Sequence, residues 1–421
     1  MGQLPQRKRR NFIKGLRDEN GVWQEDEEVV LDLFNSFYTH LFTYSTPQDL
    51  EHVLDGVQTV VHEEIRVDLA RPYTSEEVGD AIKEMAPLKT PGPDGMPPLF
   101  FQTYWTDVGM DITQVVLSSL NSSSILKSIN HTFITLIPKV QNPERVTKFR
   151  PISLCNVLYK IASKVIVNRL KPWLNFIISK TQSAFIADRL ITDNILITFE
   201  SLHHMKTNCT SKIGFMTLKL DMSKTYDRVE WVFLERILLK MGFQDSWVAL
   251  IMECITTVTY SILVSGEPKG LIKPSRGLRQ GDPFSSYLFM FCAEGMNALL
   301  SGATVRGEIR GFSICRNGPK LTHLFFADDC LLFCRSTLEE CAKIQELLAY
   351  YETTSGQMIN KEKMTLFFSK NTFEQTKEAI KVALNVPAIK HYEKYLGLPS
   401  FIGRNKTACF TQIKEQIRKI M

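Results

Sequence analysis

Two adjacent carboxylates, Asp328 and Asp329, lie between two apolar arms in the stretch Leu321 to Cys334. Leu324, Phe325 and Phe326 precede them, and Leu331, Leu332 and Phe333 follow. Short apolar runs around a polar pair predict a β-hairpin with the acids at its tip. Uncompensated carboxylates among apolar residues are costly, so the pair needs solvent or a cation. Hard oxygen donors at a strand end suit a divalent ion such as Mg²⁺. Taken alone, the pair is more simply a solvated turn between two strands.

A third carboxylate changes that balance. Gly214 to Asp227 predicts a buried strand that delivers Asp221 at its C-terminal end and then turns into a helix. Asp221 beside the Asp328-Asp329 hairpin would complete a metal site able to hold two ions, the arrangement used for in-line phosphoryl transfer. Tyr226, five residues on, would stand beside it as a flat wall.

Other residues carry the charge that such chemistry needs. Lys139 ends the predicted strand Thr132 to Val140, and Arg150 opens Arg-Pro-Ile-Ser153. On neighbouring strand ends these cations could grip a triphosphate, Arg as a fork and Lys as a point charge. Ser275 to Pro283 is a Gly-bearing loop in which Gln280 and Gly281 could meet a base pair and Arg276 and Arg279 could meet phosphates. Lys363 is a candidate general acid or charge stabiliser before a further strand.

The surrounding elements follow from periodicity and capping. Val29, Val30, Leu33, Phe34 and Phe37 predict a helix over about 26–43. Asn20-Gly21 predicts a hairpin turn. Thr74 and Glu77 form a capping-box pattern before a helix that ends by Pro87. Lys89 to Gly95 reads as a rigid turn-rich loop whose glycines allow close backbone approach. A long amphipathic helix follows Ser153, Gln182-Ser-Ala-Phe185 leads through Arg189 and Asp193-Asn194 to another, and an apolar helix covers Tyr287 to Leu300. Phe410, Ile413, Ile417 and Met421 suggest a last amphipathic helix.

With 421 residues, the chain has room for two or three subdomains. Its 44% hydrophobic and 23% charged residues are ordinary for a globular protein. A net charge of +5 permits a polyanionic partner without requiring one. The nine cysteines form no CxxC pair or zinc spacing, which predicts reduced thiols inside a cell, in nucleus or cytoplasm. No apolar run is read as crossing a bilayer, so no membrane partner is expected. The basic run Arg7 to Arg10 could touch phosphates or be a nuclear address. Nothing in the sequence speaks to oligomeric state.

Six stretches stand in one order: Gly92-Pro-Asp-Gly95, Arg150-Pro-Ile-Ser153, Leu220-Asp-Met-Ser-Lys-Thr-Tyr-Asp227, Arg276-Gly-Leu-Arg-Gln-Gly-Asp-Pro283, Phe326-Ala-Asp-Asp329 and Tyr395-Leu-Gly-Leu-Pro399. Together they resemble the reverse transcriptase domain of non-LTR (LINE-type) retrotransposons, with plant-like wording, over about residues 75–405. The resemblance implies an α+β right-hand polymerase: 75–215 as fingers, 216–370 as an antiparallel-sheet palm, and 371–421 as primer grip and the start of a truncated thumb, after an N-terminal segment 1–74. It implies that Asp221, Asp328 and Asp329 hold two Mg²⁺, with Mn²⁺ as a possible substitute. Tyr226 matches the steric gate against a ribose 2′-OH, and Lys139 and Arg150 match finger cations near the dNTP. Gln280 and Gly281 match the loop at the nascent base pair, Lys363 the lysine near the triphosphate, and Tyr395, Leu396 and Gly397 the primer grip. The implied partners are an RNA template, a DNA primer and dNTPs.

The chain departs from the family pattern at several positions. Thr225 replaces the usual Ala, Phe284 and Ser286 replace Leu and Pro, and Ala187-Asp188 replaces Pro-Gly. In a packed place Thr225 would cost about 1–3 kcal/mol if nothing adjusts. No endonuclease or Cys/His-rich motif is read, and a thumb of about one helix predicts weak primer binding. The expected activity is RNA-directed DNA synthesis. The alternative is an inactive remnant that at most binds nucleic acid, and a maturase-like role has less support.

Overall fold

The computed structural model describes residues 13–207, 211–264, 266–315, 318–386 and 395–396. The basic run Arg7 to Arg10, Gly397 and the expected C-terminal helix lie outside these residues. The described strands are β1 (Leu16–Arg17), β2 (Trp23–Gln24), β3 (His131–Pro138), β4 (Phe149–Cys155), β5 (Phe215–Ser223), β6 (Thr259–Val264), β7 (Glu267–Ile272), β8 (His323–Phe326), β9 (Asp329–Arg335), β10 (Met358–Ile359) and β11 (Thr365–Phe368). The fold is mixed α/β and divides into two compact units.

The first unit takes the described residues of Met1–Pro47, Gln58–Trp173 and Tyr226–Cys292. Its sheet has the order β4-β3-β6-β7 and is mixed, because β3 pairs β4 antiparallel and β6 parallel. Asp26 caps the helix Glu27–Leu41 by accepting from Glu28 N and Val29 N, as a short acid does at an N-cap. The helix buries Val30, Phe34, Tyr38 and Leu41. The apolar stripe is thus rotated from the expected one, and Val29 is exposed. These side chains join Ile134, Phe149, Tyr260 and Ile262 of the sheet in one core. Each fully buried side chain of this size contributes about 1.5–3 kcal/mol. β1 and β2 pair across a turn in which Gly21 has φ +81°.

The capping box is formed: Glu77 N donates to Thr74 Oγ1 at 3.4 Å, and Thr74 N donates to Glu77 Oε2 at 2.9 Å, opening the helix Ser75–Lys83. In the next loop a Cβ on Gly92 would lie 2.4 Å from the Cys155 carbonyl, so only glycine fits. Asp94 accepts from Val157 N at 2.7 Å, at the start of the helix Val157–Leu170. That helix is not amphipathic as expected. It is buried on nearly all sides, and its Lys160 ammonium donates to Thr90 O at 2.9 Å.

The second unit takes the described residues of Gln48–Val57, Leu174–Thr225 and Ala293–Met421. Its sheet has the order β10-β5-β9-β8, with β11 also on β5, and every pairing is antiparallel. Leu324, Leu331 and Phe333 pack with Leu202 and Met205 of the helix Ile191–Thr207, and with Phe312 and Tyr395.

The helix read over Tyr287 to Leu300 spans Ser285–Val305. By length and composition it could cross a bilayer, contrary to the sequence reading. Its most apolar window is 72% buried inside the protein, the character of a core helix. Of the described cysteines, all free thiols, only Cys315 is exposed.

Candidate active site

The expected hairpin is β8–β9. Phe326 pairs with Asp329, leaving Ala327 and Asp328 as a two-residue loop. Ala327 takes φ +53°, the left-handed value that the first position of such a tight loop requires. β5 runs antiparallel to β9, and its register sets Asp221 directly opposite Asp329. Asp221 is therefore inside the strand, two residues before its end.

Three further contacts of the second unit bear on this cluster. The Lys363 ammonium lies 3.0 Å from Asp221 Oδ2. Lys363 belongs to the turn between β10 and β11, not to a strand, and Asn360 N in that turn donates to Asp221 O at 2.8 Å. Thr225 is buried, and its hydroxyl has polar partners in Met222 O and Asp328 Oδ2, each at 3.4 Å. Buried Gln357 donates Nε2 to Thr225 O at 2.8 Å.

Burial pushes the Asp329 carboxyl above its ordinary range. Lys219 opposes that rise, Asp328 and Asp221 add to it, and Lys363 opposes it. A half-buried carboxylate among two others is a place that a cation stabilises. The donor set is all carboxylate oxygen, which fits a hard divalent ion. Among the described residues no three His, Cys, Asp or Glu side chains converge on a common ligand position. In this structure Asp221 is neutralised by lysine.

The first unit contains most of the other expected residues. Ile137 pairs with Arg150, so Lys139 and Arg150 do stand on neighbouring ends of β3 and β4, with Arg150 exposed. Ser153 N donates to Gln280 O at 2.8 Å, which ties the 275–283 loop to β4. Gly281 has φ +116°, and a Cβ there would lie 3.1 Å from Ser153 O. The Tyr226 hydroxyl donates to Ser286 Oγ at 3.3 Å, and its ring lies 5.6 Å from that of Phe289. Ser286 thus provides a partner where the family pattern has Pro, and Phe284 is fully buried.

Arg276 and Arg279 are not phosphate contacts. Arg276 is buried on Glu230 at 3.0 Å and donates to Leu41 O at 2.8 Å. Arg279 lies 3.6 Å over the Tyr159 ring, donates to Cys254 O at 2.9 Å and pairs with Asp282 at 3.4 Å. The loop sequence hides this because Glu230 stands 46 positions before Arg276, and Arg279 meets Cys254 and Tyr159 from elsewhere in the chain.

Of the expected primer grip, Tyr395 and Leu396 are described. Tyr395 is buried in the second unit's core, and burial raises its hydroxyl pKa. Sequence reasoning gave no role to Gln182 or Asn194. Gln182 Oε1 accepts from Ala327 N at 3.0 Å, and Asn194 Nδ2 donates to Phe325 O at 2.9 Å. Neither stands out in the sequence: Gln182 lies in a loop, and Asn194 in the first turn of the helix Ile191–Thr207.

The sequence model for Reverse transcriptase (RNA-dependent DNA polymerase) matches residues 137–399. The chain belongs to the reverse transcriptase family. Over 359 residues it is 29% identical to the Transposon TX1 uncharacterized 149 kDa protein of Xenopus laevis, covering 83% of this chain and 26% of that protein. It is 24% identical over 353 residues to the retrovirus-related Pol polyprotein from type-2 retrotransposable element R2DM of Drosophila melanogaster, covering 80% and 32%. A stretch of 67 residues is 48% identical to an uncharacterized mitochondrial protein of Arabidopsis thaliana, 16% of this chain and 55% of that one. The chain thus spans about a third or less of the two long relatives, and these bear out the resemblance to non-LTR retrotransposon proteins.

Proposed function

We propose that this chain is the RNA-directed DNA polymerase domain of a non-LTR retrotransposon protein. It would extend a DNA primer on an RNA template by attack of the primer 3′-OH on the dNTP α-phosphorus, with pyrophosphate leaving. The observation that carries this reading is Asp221 paired across the sheet from Asp329, with Asp328 in the adjoining turn.

In this reading the antiparallel sheet is the heart of a palm over about 216–370. Residues 75–215 supply fingers, and 371–421 supply the primer grip and the start of a thumb. Asp221, Asp328 and Asp329 would hold Mg²⁺, which when bound supplies charge neutralisation to in-line phosphoryl transfer. Lys363, already on Asp221, carries an exposed ammonium that would turn to a phosphate oxygen or protonate pyrophosphate. Arg150 and Lys139 grip the triphosphate, Gln280 and Gly281 meet the base pair, and Tyr226 blocks a 2′-OH. Tyr395, Leu396 and Gly397 would guide the primer.

The test is primer extension on an RNA template with Mg²⁺ and then Mn²⁺, beside Asp328→Asn. Extension by the native chain alone supports the reading. No extension by either, with duplex binding that weakens as salt rises, favours a remnant that grips nucleic acid.

A further inference from the structure

The segment Ser179 to Ala184 runs along the outer edge of β8. Phe325 N donates to Thr181 O at 2.8 Å, Ser183 N donates to Phe325 O at 3.2 Å, and Gln182 bridges Phe325 in parallel. The Gln182 side chain then reaches the hairpin tip. Its Oε1 accepts from Ala327 N and from Ala184 N, each at 3.0 Å.

Two features show that this amide is held for its oxygen. Gln182 is 1% exposed, and its Nε2 is buried without a hydrogen-bond partner. Reversing the amide would set an NH₂ against two N–H donors, so the orientation is fixed by the donors themselves. The peptide it grips is also the one that needs holding. Ala327 is left-handed at φ +53°, a conformation that a Cβ disfavours. Asn194 supplies a second grip, donating to Phe325 O and accepting from Ser183 Oγ at 2.7 Å.

We propose that Gln182 is the positioning residue of the acidic turn. By fixing the Ala327 N–H it sets where Asp328 and Asp329 stand relative to Asp221. The inference rests on the polymerase reading for its catalytic consequence, but not for the clamp itself. Gln182 acts through the turn and touches no substrate.

The experiment compares native protein with Gln182→Met, which keeps the bulk and loses the acceptor, and Gln182→Glu, which keeps the acceptor oxygen. Amide hydrogen exchange at Ala327 reads the clamp directly. Gln182→Met should raise that exchange about tenfold or more, leave the β5 and β9 interior amides protected, lower kcat about 10–100-fold and raise the Mg²⁺ half-saturation by a similar factor. The dNTP KM should stay within about twofold. Gln182→Glu should recover most of each loss. Unchanged Ala327 exchange in Gln182→Met overturns the clamp, and equal damage by both variants shows packing instead. Raised exchange with unchanged kcat overturns the catalytic role. If the native chain extends no primer and matches Asp328→Asn, the polymerase reading fails, while the exchange comparison still decides the clamp.

Discussion

The Lys363 ammonium sits 3.0 Å from Asp221 Oδ2, so a cation already occupies one face of the acidic cluster. Lys363 is 65% exposed and Asp221 31%, and an ion pair this open contributes at most about 1 kcal/mol to folding. Lys363→Met should therefore change unfolding free energy by less than about 1 kcal/mol. It should lower kcat about 100-fold if the lysine serves the leaving phosphate. It should also lower the Mg²⁺ concentration needed for half-activity, since the competing charge is gone. Urea denaturation beside a Mg²⁺ titration of primer extension separates these effects. A large stability loss with unchanged kcat would assign Lys363 to the fold.

Behind β8 a buried network predicts an unusual pH response. Glu294 Oε1 accepts from Ser179 N at 3.1 Å and Ser179 Oγ at 2.9 Å, and burial pushes its carboxyl from 4.5 to about 7. His323 Nε2 meets Asn297 Oδ1 at 2.9 Å, and burial lowers its pKa from 6.5 to about 4. The folded state holds the Glu294 proton more tightly than the unfolded chain. Stability from that group is full below about pH 4.5 and is lost as pH rises through about 7, on the order of 3 kcal/mol. His323 acts in the opposite sense, costing stability as pH falls from 6.5 toward 4. The native curve should be nearly flat between these limits. Glu294→Gln should remove one slope and leave stability rising with pH, and its stability relative to native should grow by on the order of 3 kcal/mol from pH 4.5 to 7.5. Chemical denaturation across that range checks this. Parallel curves would show that Glu294 does not titrate there.

The 275–283 loop yields a third prediction because its arginines turned inward. Removing one partner of a buried ion pair leaves an uncompensated charge and costs about 3–5 kcal/mol. Arg279→Ala leaves Asp282 in that state and removes the cover over Tyr159. It should unfold at markedly lower urea, yet folded Arg279→Ala should show the native salt slope of duplex binding, since no phosphate contact is lost. Arg150→Ala should do the reverse: little change in stability, and weaker dNTP binding. A reduced salt slope in Arg279→Ala would restore the phosphate reading.

Local chemistry was legible in the sequence, and long-range partnership was not. Asp328-Asp329 between apolar arms gave the hairpin, because turn and strands are neighbours in the chain. The Thr74–Glu77 box was readable for the same reason. That Lys363 would reach Asp221, 142 positions away, was given neither by spacing nor by the resemblance, which put the lysine near the triphosphate. Arg276 and Arg279 looked like surface cations because Glu230 and Asp282 neutralise them only once the chain is folded. The helix Val157–Leu170 read as amphipathic because Lys160 and Arg169 are polar, yet both are buried and donate to backbone carbonyls. Gln182 had no signal, since its value lies in one oxygen aimed at Ala327.

Tyr226 gives the sharpest functional prediction. Its ring is held by Phe289 at 5.6 Å and its hydroxyl by Ser286 at 3.3 Å, so the side chain is braced at both ends. A braced flat ring can reject a 2′-OH by bulk, whereas a loose one would swing aside. Tyr226→Val removes the bulk and should raise rNTP incorporation relative to dNTP about 100-fold or more, with dNTP kcat changed far less. Tyr226→Phe keeps the ring and should keep the discrimination. Ser286→Ala removes one brace and should loosen selectivity by a smaller factor, separating the ring's bulk from its support. Competing rNTP and dNTP incorporation on one template measures all three. If Tyr226→Val discriminates as the native chain does, the ring is not the gate, and its contacts with Phe289 and Ser286 serve only packing.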